Sequence, residues 1–483
     1  MRDRLRAAIR RGVADSTVRG ALTLAGCTTL GAGLMIATAP VITRIFTPRI
    51  FGIVAVYTSI VSIGAPISSL RYDLAILLPE DEDDAANLLI LCFLVLLPIC
   101  GFLGLLTYMW SHQIAAWLNA EDLAPYMGLA PIGILGAGAY QALSSWALRN
   151  EEYGKIGRTR LSQNGGMAVT QIGLGTLLSG NPVALLIGDL VSRYGGVTML
   201  LRHAWPWLKA RRLSFSVVRA NAKRYAKFPL YSAPASLLTA IEMQIPTILL
   251  SHYFGVAVVG YYALTYRILR APTALIGQAA AQALFANAAR LSSDRARLRQ
   301  LTERATIILM AVGLPLFALV IQEGPELFSS AFGPGWIKSG LYARLLAPAL
   351  FVSFVANPLS NLLNVREWQG TTLLYSALEC LTAVACIMVG VAYHSDVIAL
   401  AVLGSGSCLL SLVTMNRFFE AGFTNASCVL KQAAPLLLPL ALCALLAEWR
   451  FGGRGMLPLV LRVLAFSFVY LISLWKLRRF AIA

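Results

Sequence analysis

Charge is what this sequence has least of. Asp, Glu, Lys and Arg make up 13% of its 483 residues, about half the ~25% of soluble domains. That is too little to cover a soluble surface on a chain of this length, and a disordered chain would be richer in charge still. Acid is the scarcer sign, with 23 Asp and Glu against 40 Lys and Arg. The eight cysteines form no CxxC pair and nearly all lie in apolar runs, where a thiol packs as a small hydrophobe. No Walker A pattern, HExxH or GxSxG is present, so the common phosphate-loop, zinc-protease and hydrolase signatures are missing. The four histidines, His112, His203, His252 and His394, fall at helix ends or in loops without a ligand cluster. What is present is apolar residue: 58% of the chain, in runs that recur from end to end. The composition is that of a polytopic membrane protein. The net charge of +17 then reads as basic loops on one membrane face. With no soluble basic domain, nothing points to nucleic acid.

A spanning helix needs about 20 mostly apolar residues. Fourteen stretches qualify, at 21–43, 53–70, 86–108, 126–148, 161–179, 182–201, 229–251, 257–286, 305–322, 342–364, 371–392, 397–415, 433–449 and 456–475. The first is longer than a signal-peptide core. The ninth and thirteenth are short, and the eighth is too long for one crossing. With the N-terminus placed in the cytoplasm, thirty of the forty basic residues fall in cytoplasmic segments, six fall outside and four lie within spans. That bias sets both termini inside.

Arg202–Phe228 carries eight basic residues and no acid, and divides the spans six and eight. Trp205 and Trp207 at its start suit an interface, and an amphipathic segment on anionic lipid is expected. A weak repeat supports the division: Pro40, Gly52 and Pro66 recur as Pro246, Gly260 and Pro272, the prolines 206 residues later and the glycine 208. Six intervening helices make such repeats parallel, as in two-lobed transporters. The expected fold is all-α and integral to the membrane, with about fourteen transmembrane helices. Residues 1–201 form an N-lobe, 202–228 a basic cytoplasmic linker, 229–415 a C-lobe and 416–483 two additional helices.

Ionisable groups within spans are costly and face a cavity or a partner. Asp189 and Arg193 are four apart on the sixth helix, the spacing of an ion pair. Glu379 stands on the eleventh, either protonated and locally bonded or facing a cavity. Glu242 and Arg267 lie 12.5 positions either side of a turn centred between Phe254 and Gly255, which puts both roughly 19 Å from it at about 1.5 Å per residue. Arg270 lies one turn nearer the cytoplasm, and Arg71 ends the second helix in SLRYDLAILLP. Arg71, Arg267 and Arg270 describe a cationic vestibule, and guanidinium binds phosphate bidentately. For Arg71 and Arg270 the competing reading is snorkelling to headgroups.

These residues carry a resemblance. TRIFTPRIFGIVAVYTSIVSIGAPISSLRYDLAILLPEDEDDAANLL (Thr43–Leu89), GYYALTYRILRAPTALIGQAAAQALF (Gly260–Phe285) and NPLSNLLNVREWQG (Asn357–Gly370) resemble the Wzx-type polysaccharide and lipopolysaccharide flippases. Their superfamily also holds lipid II flippases and MATE-type exporters, built from two six-helix lobes, often with two extra helices. The resemblance implies a multi-pass protein of a bacterial inner membrane. It implies passage of a polyprenyl-diphosphate-linked oligosaccharide from the cytoplasmic to the periplasmic leaflet by alternating access. Arg71, Arg267 and Arg270 would bind the diphosphate; Glu242, Asp189, Arg193 and Glu379 would serve coupling or ion pairing. No cofactor is implied beyond a proton or Na+ gradient. The expected partners are the lipid-linked oligosaccharide, anionic lipid at the linker, and polymerase and assembly proteins. Lipid II flippases have functionally important arginines that Arg71 and Arg267 match. Their charged pair on the first helix is absent here, where the sequence reads Ile36-Ala37-Thr38-Ala39-Pro40, which argues against lipid II as cargo. Two other readings stand. One is a multidrug antiporter, which requires an acid-rich cavity. The other is a membrane polymerase or glycosyltransferase, which requires large outside loops, whereas the longest here is Gln322–Leu341.

Overall fold

A computed structural model describes residues 2–434 apart from 210, 212, 292–293 and 366–367. The expected spans at 433–449 and 456–475, Arg212 and Arg366 therefore lie wholly or almost wholly outside the described residues. The chain is helical, with no strand among those residues, as backbone polar groups in hydrocarbon require. Two compact units divide it, Met1–Gly260 and Tyr261–Ala483.

The first unit contains α1 (Arg2–Ile45), α2 (Pro48–Gly64), α3 (Tyr72–Ala75), α4 (Glu82–Trp117), α5 (Leu129–Arg149), α6 (Tyr153–Leu177), α7 (Pro182–Lys209), α8 (Phe215–Arg224), α9 (Ala233–Phe254) and the start of α10 (Val256–Leu269). The second holds the rest of α10, α11 (Gln278–Arg290), α12 (Arg295–Phe332), α13 (Ile337–Val365), α14 (Gln369–Ala392) and α15 (Asp396–Ala421). Each expected span from 21–43 to 397–415 overlaps at least one helix. Nine described segments are long and apolar enough to cross a membrane by length and composition. Within the first unit α1 packs on α6, α6 on α7, and α5 on α4 and α7; within the second, α13 packs on α12 and α15.

Helix starts follow their sequences. Asp81 caps α4 by accepting from Asp84 N at 3.2 Å, with Glu82, Asp83 and Asp84 in the first turn, where acids complement the dipole. Asp294 caps α12 from Arg297 N at 3.1 Å. The α9–α10 turn is the single residue Gly255 at φ +82°, a left-handed conformation natural to glycine.

Four expectations need correction. The second span is not one helix to residue 70. α2 ends at Gly64, a 3-10 turn covers Ala65–Ile67, and Leu70 and Arg71 take φ +48° and +61° before α3. Pro66, which has no N–H to donate, sits at the break. The eighth span is long because it is two helices, α10 and α11, separated by a π-turn at Thr273–Gly277 just after Pro272. The ninth is not short: α12 has 38 residues, its charged ends hidden from a hydropathy reading. Gln322–Leu341 is not a loop, since it holds the end of α12, a short 3-10 turn at Pro334–Trp336 and the start of α13.

The repeat has a structural counterpart. Pro40 and Pro246 both lie inside helices, whereas Pro66 and Pro272 both stand at breaks. Gly52 and Gly260 meet directly. A Cβ on Gly52 would fall 1.7 Å from Val256 O, and one on Gly260 would fall 1.8 Å from Pro48 O. At this crossing of α2 and α10 the backbones touch, and neither position has room for a side chain.

The linker folds onto its own unit. α8 buries Val218 in a cluster with Tyr72, Ile76, Leu88, Cys92 and Trp146, and it also buries Asn221. Asn221 Nδ2 donates to Asp84 O at 3.2 Å, Ser214 N to Asn87 Oδ1 at 3.0 Å, and Tyr72 OH to Ala222 O at 3.1 Å. Arg211 is ion-paired with Glu82, and Arg224 with Asp84 at 3.8 Å. Two of the bases expected to lie on lipid thus engage the acidic start of α4. Lys209, Arg219, Lys223 and Lys227 are exposed.

Candidate functional site

The first unit has an open cavity of about 420 Å³ lined from α2, the break after it, α5, α6 and α7. The volume is within the ~300–1,000 Å³ usual for ligand sites. Asp189 and Arg193 form one wall, one helical turn apart on α7. Arg193 Nε donates to Asp189 Oδ2 at 2.7 Å and its Nη2 to Oδ1 at 3.1 Å. Asp189 is 7% exposed, so its charge depends on this two-pronged partner. Ser62, Tyr140, Gln141, Gln163 and Ser192 also line it, with Ala65, Pro66 and Ala137 as the apolar lining. The Tyr140 hydroxyl is hydrogen-bonded to Thr159 Oγ1 at 3.0 Å.

The sequence reading found the ion pair and missed the amides. Gln141 and Gln163 stand within spans, where an amide is nearly as informative as a charge. Asp73 was missed as well. It is 3% exposed, accepts from Ser69 Oγ at 2.9 Å and lies 3.7 Å from Arg71. Arg71 is therefore held inside the first unit, at a left-handed residue in the break after α2. That backbone is strained for a residue with a Cβ. Its Nε is buried and makes no hydrogen bond to a described residue.

Of the remaining predicted residues, Glu242 belongs to the first unit and Arg267, Arg270 and Glu379 to the second. Glu242 lies on α9 and Arg267 in the last turn of α10, either side of Gly255. Arg267 is half-buried. Arg270 follows three residues later with its guanidinium 5.0 Å from the centre of the Tyr266 ring, a cation–π contact. Glu379 is exposed on α14. Among the described residues no group of His, Cys, Asp and Glu is arranged to hold a metal ion.

A family model described as a polysaccharide biosynthesis protein matches residues 41–340, more than half of the chain. The chain belongs to that family. The resemblance to Wzx-type flippases drawn from Thr43–Leu89 and Gly260–Phe285 lies inside the matched region. One relative is the succinoglycan biosynthesis transport protein ExoT of Rhizobium meliloti, 25% identical over 64% of this chain and 62% of its own length. The chain thus spans less than two thirds of ExoT. Another is the lipopolysaccharide biosynthesis protein WzxC of Escherichia coli, 21% identical over 78% of this chain and 75% of its own. Among solved structures the lipid II flippase MurJ, in an inward closed conformation, aligns with a TM-score of 0.74 at 12% identity. That alignment covers 96% of this chain and all of MurJ. An inward-facing MATE transporter of the MOP superfamily aligns with a TM-score of 0.63 at 14% identity, over 83% and 96%. This member of the family is a multi-pass membrane protein with the fold shared by those two transporters.

Proposed function

We propose that the protein moves a polyprenyl-diphosphate-linked oligosaccharide from the cytoplasmic to the periplasmic leaflet of a bacterial inner membrane by alternating access. The observation that carries this reading is the family match over residues 41–340, together with a transport-protein relative in polysaccharide biosynthesis. The side chains support it. The diphosphate is the charged part of such a cargo, and Arg71, Arg267 and Arg270 supply guanidinium groups of matching geometry. Glu242 pairs with Arg267 between cycles or carries the coupling proton or cation. Residues 1–201 and 229–415 move as lobes, joined by the linker. The exposed Lys209, Arg219, Lys223 and Lys227 meet anionic headgroups at about 1 kcal/mol each. An antiporter for cationic drugs calls for an acid-rich cavity, whereas the acids within the expected spans, Asp189, Glu242, Glu379 and Glu448, are matched by as many arginines, Arg193, Arg267, Arg270 and Arg462.

The test is direct. Proteoliposomes holding the purified protein and a lipid-linked oligosaccharide should expose the glycan on the leaflet opposite to its loading, read by a membrane-impermeant glycosidase. Cells without the protein should accumulate the same lipid on the cytoplasmic leaflet. Glycan that stays protected in the proteoliposomes, with no cytoplasmic accumulation in cells without the protein, would remove the flippase reading.

A further inference from the structure

The cavity of the first unit plays no part in binding a diphosphate. Its charge is internally balanced, because Arg193 spends two donors on the two oxygens of Asp189. A phosphate or carboxylate entering it would face Asp189. A metal cation would find no excess negative charge. Both halves of the pair nevertheless keep hydrogen-bonding capacity, since a carboxylate has about four lone-pair sites and a guanidinium five N–H donors. Gln141 and Ser192 add groups that each donate and accept. Gln141 lines the cavity, and its Oε1, buried from solvent, receives no hydrogen bond from any described residue, a state that costs free energy. Ala65, Pro66 and Ala137 supply an apolar surface alongside.

A wall that both donates and accepts, neutral overall and backed by aliphatic carbon, fits a ligand with the same mixture: hydroxyl groups on a ring of C–H bonds. We infer that this cavity is a subsite for a neutral sugar ring of the cargo, with Gln141, Ser192 and the Asp189–Arg193 pair bonding its hydroxyls. The inference rests on the flippase reading and adds a division of labour. The arginines outside the cavity take the diphosphate, and the cavity distinguishes a glycan-bearing lipid from a bare one.

The experiment measures binding of two probes to the purified protein in nanodiscs. One is a polyprenyl diphosphate without sugar. The other is the same lipid carrying a neutral oligosaccharide. Wild type should bind the glycan-bearing lipid more tightly. Gln141→Leu should weaken that lipid roughly two- to tenfold, the range of one net hydrogen bond, and leave the bare lipid unchanged. Ser192→Ala, a smaller change, should act in the same direction should Gln141→Leu fold poorly, as judged by its melting curve. Arg267→Ala should weaken both lipids. Equal weakening of both probes by the cavity variants, or of neither, overturns the sugar subsite and leaves the flippase reading standing. A Na+- or proton-dependent stabilisation that Asp189→Asn abolishes, with no preference between the two lipids, overturns it in favour of a cation site. Wild-type protein that binds neither lipid overturns the flippase reading and this inference with it.

Discussion

Arg267 and Glu242 stand twelve or so residues from the Gly255 turn on two successive helices, so each is placed deep in its span. A guanidinium at that depth is expensive unless it serves a ligand or partner. Arg267→Ala should abolish export while the protein still inserts, because a charge-assisted contact of about 1.5–3 kcal/mol is lost. Arg267→Lys should rescue only in part, since an ammonium lacks the parallel donors of a guanidinium. Glu242→Gln should weaken export less than Arg267→Ala. If Glu242 carries the coupling proton, however, the same change should stop export with cargo binding intact. Export and steady-state protein level, measured together, check all three; wild-type export by Arg267→Ala at normal abundance counts against a cationic site. Glu303 makes a separate prediction about stability. Its carboxylate accepts from Arg299 Nε at 2.8 Å, Thr424 Oγ1 at 2.6 Å and Gln432 Nε2 at 2.9 Å. Glu303→Ala strands these donors and should cost roughly 1–3 kcal/mol, visible as a lowered melting temperature without a change in cargo affinity.

At the scale of elements, the crossing of α2 and α10 is the tightest constraint. Gly52→Ala or Gly260→Ala must push two backbones apart, and overpacking of this kind costs typically 1–3 kcal/mol; reduced yield or melting temperature of either variant checks it. The sequence repeat marked these glycines as a pair but not as touching, since spacing carries no distance. The docked linker shows the same limit. Its basic run was legible as cytoplasmic, yet Arg211 and Arg224 find Glu82 and Asp84, more than a hundred residues earlier in the chain, which no local pattern connects. The ion pairs are partly exposed and contribute little, about 0–1 kcal/mol each. Asn221, which is 3% exposed and bonds to Asp84 O, should matter more. Asn221→Ala should free α8, and limited trypsin digestion should then cut at Lys223 and Lys227 faster than in Arg224→Ala. Equal rates in the two variants would shift the weight of docking from the buried amide to the charges.

For the whole molecule, the helix map was legible because apolar runs of bilayer length leave few alternatives. Its errors came at breaks and ends. Pro66 and Pro272 lie in runs that stay apolar through the break, and the charged ends of α12 lower its hydropathy without ending its helix. The cavity was half legible. Asp189 and Arg193 share one helix, but Gln141 and Gln163 reach it from α5 and α6, and only packing of three helices brings them together. Orientation is the property of the whole chain that basic-residue counting decides, and it is directly measurable. Between the linker and the Gly333–Trp336 turn lie three expected crossings, 229–251, 257–286 and 305–322, an odd number, so the two must face opposite sides. Lys223 and Gly335 are both exposed. In a background with the native cysteines replaced, Gly335→Cys in intact spheroplasts should react with a membrane-impermeant maleimide. Lys223→Cys should react only after the membrane is opened. Labelling of both from the same side would mean an even number of crossings between them. The α9, α10–α11 and α12 assignments would then fail, and the lobe boundaries with them.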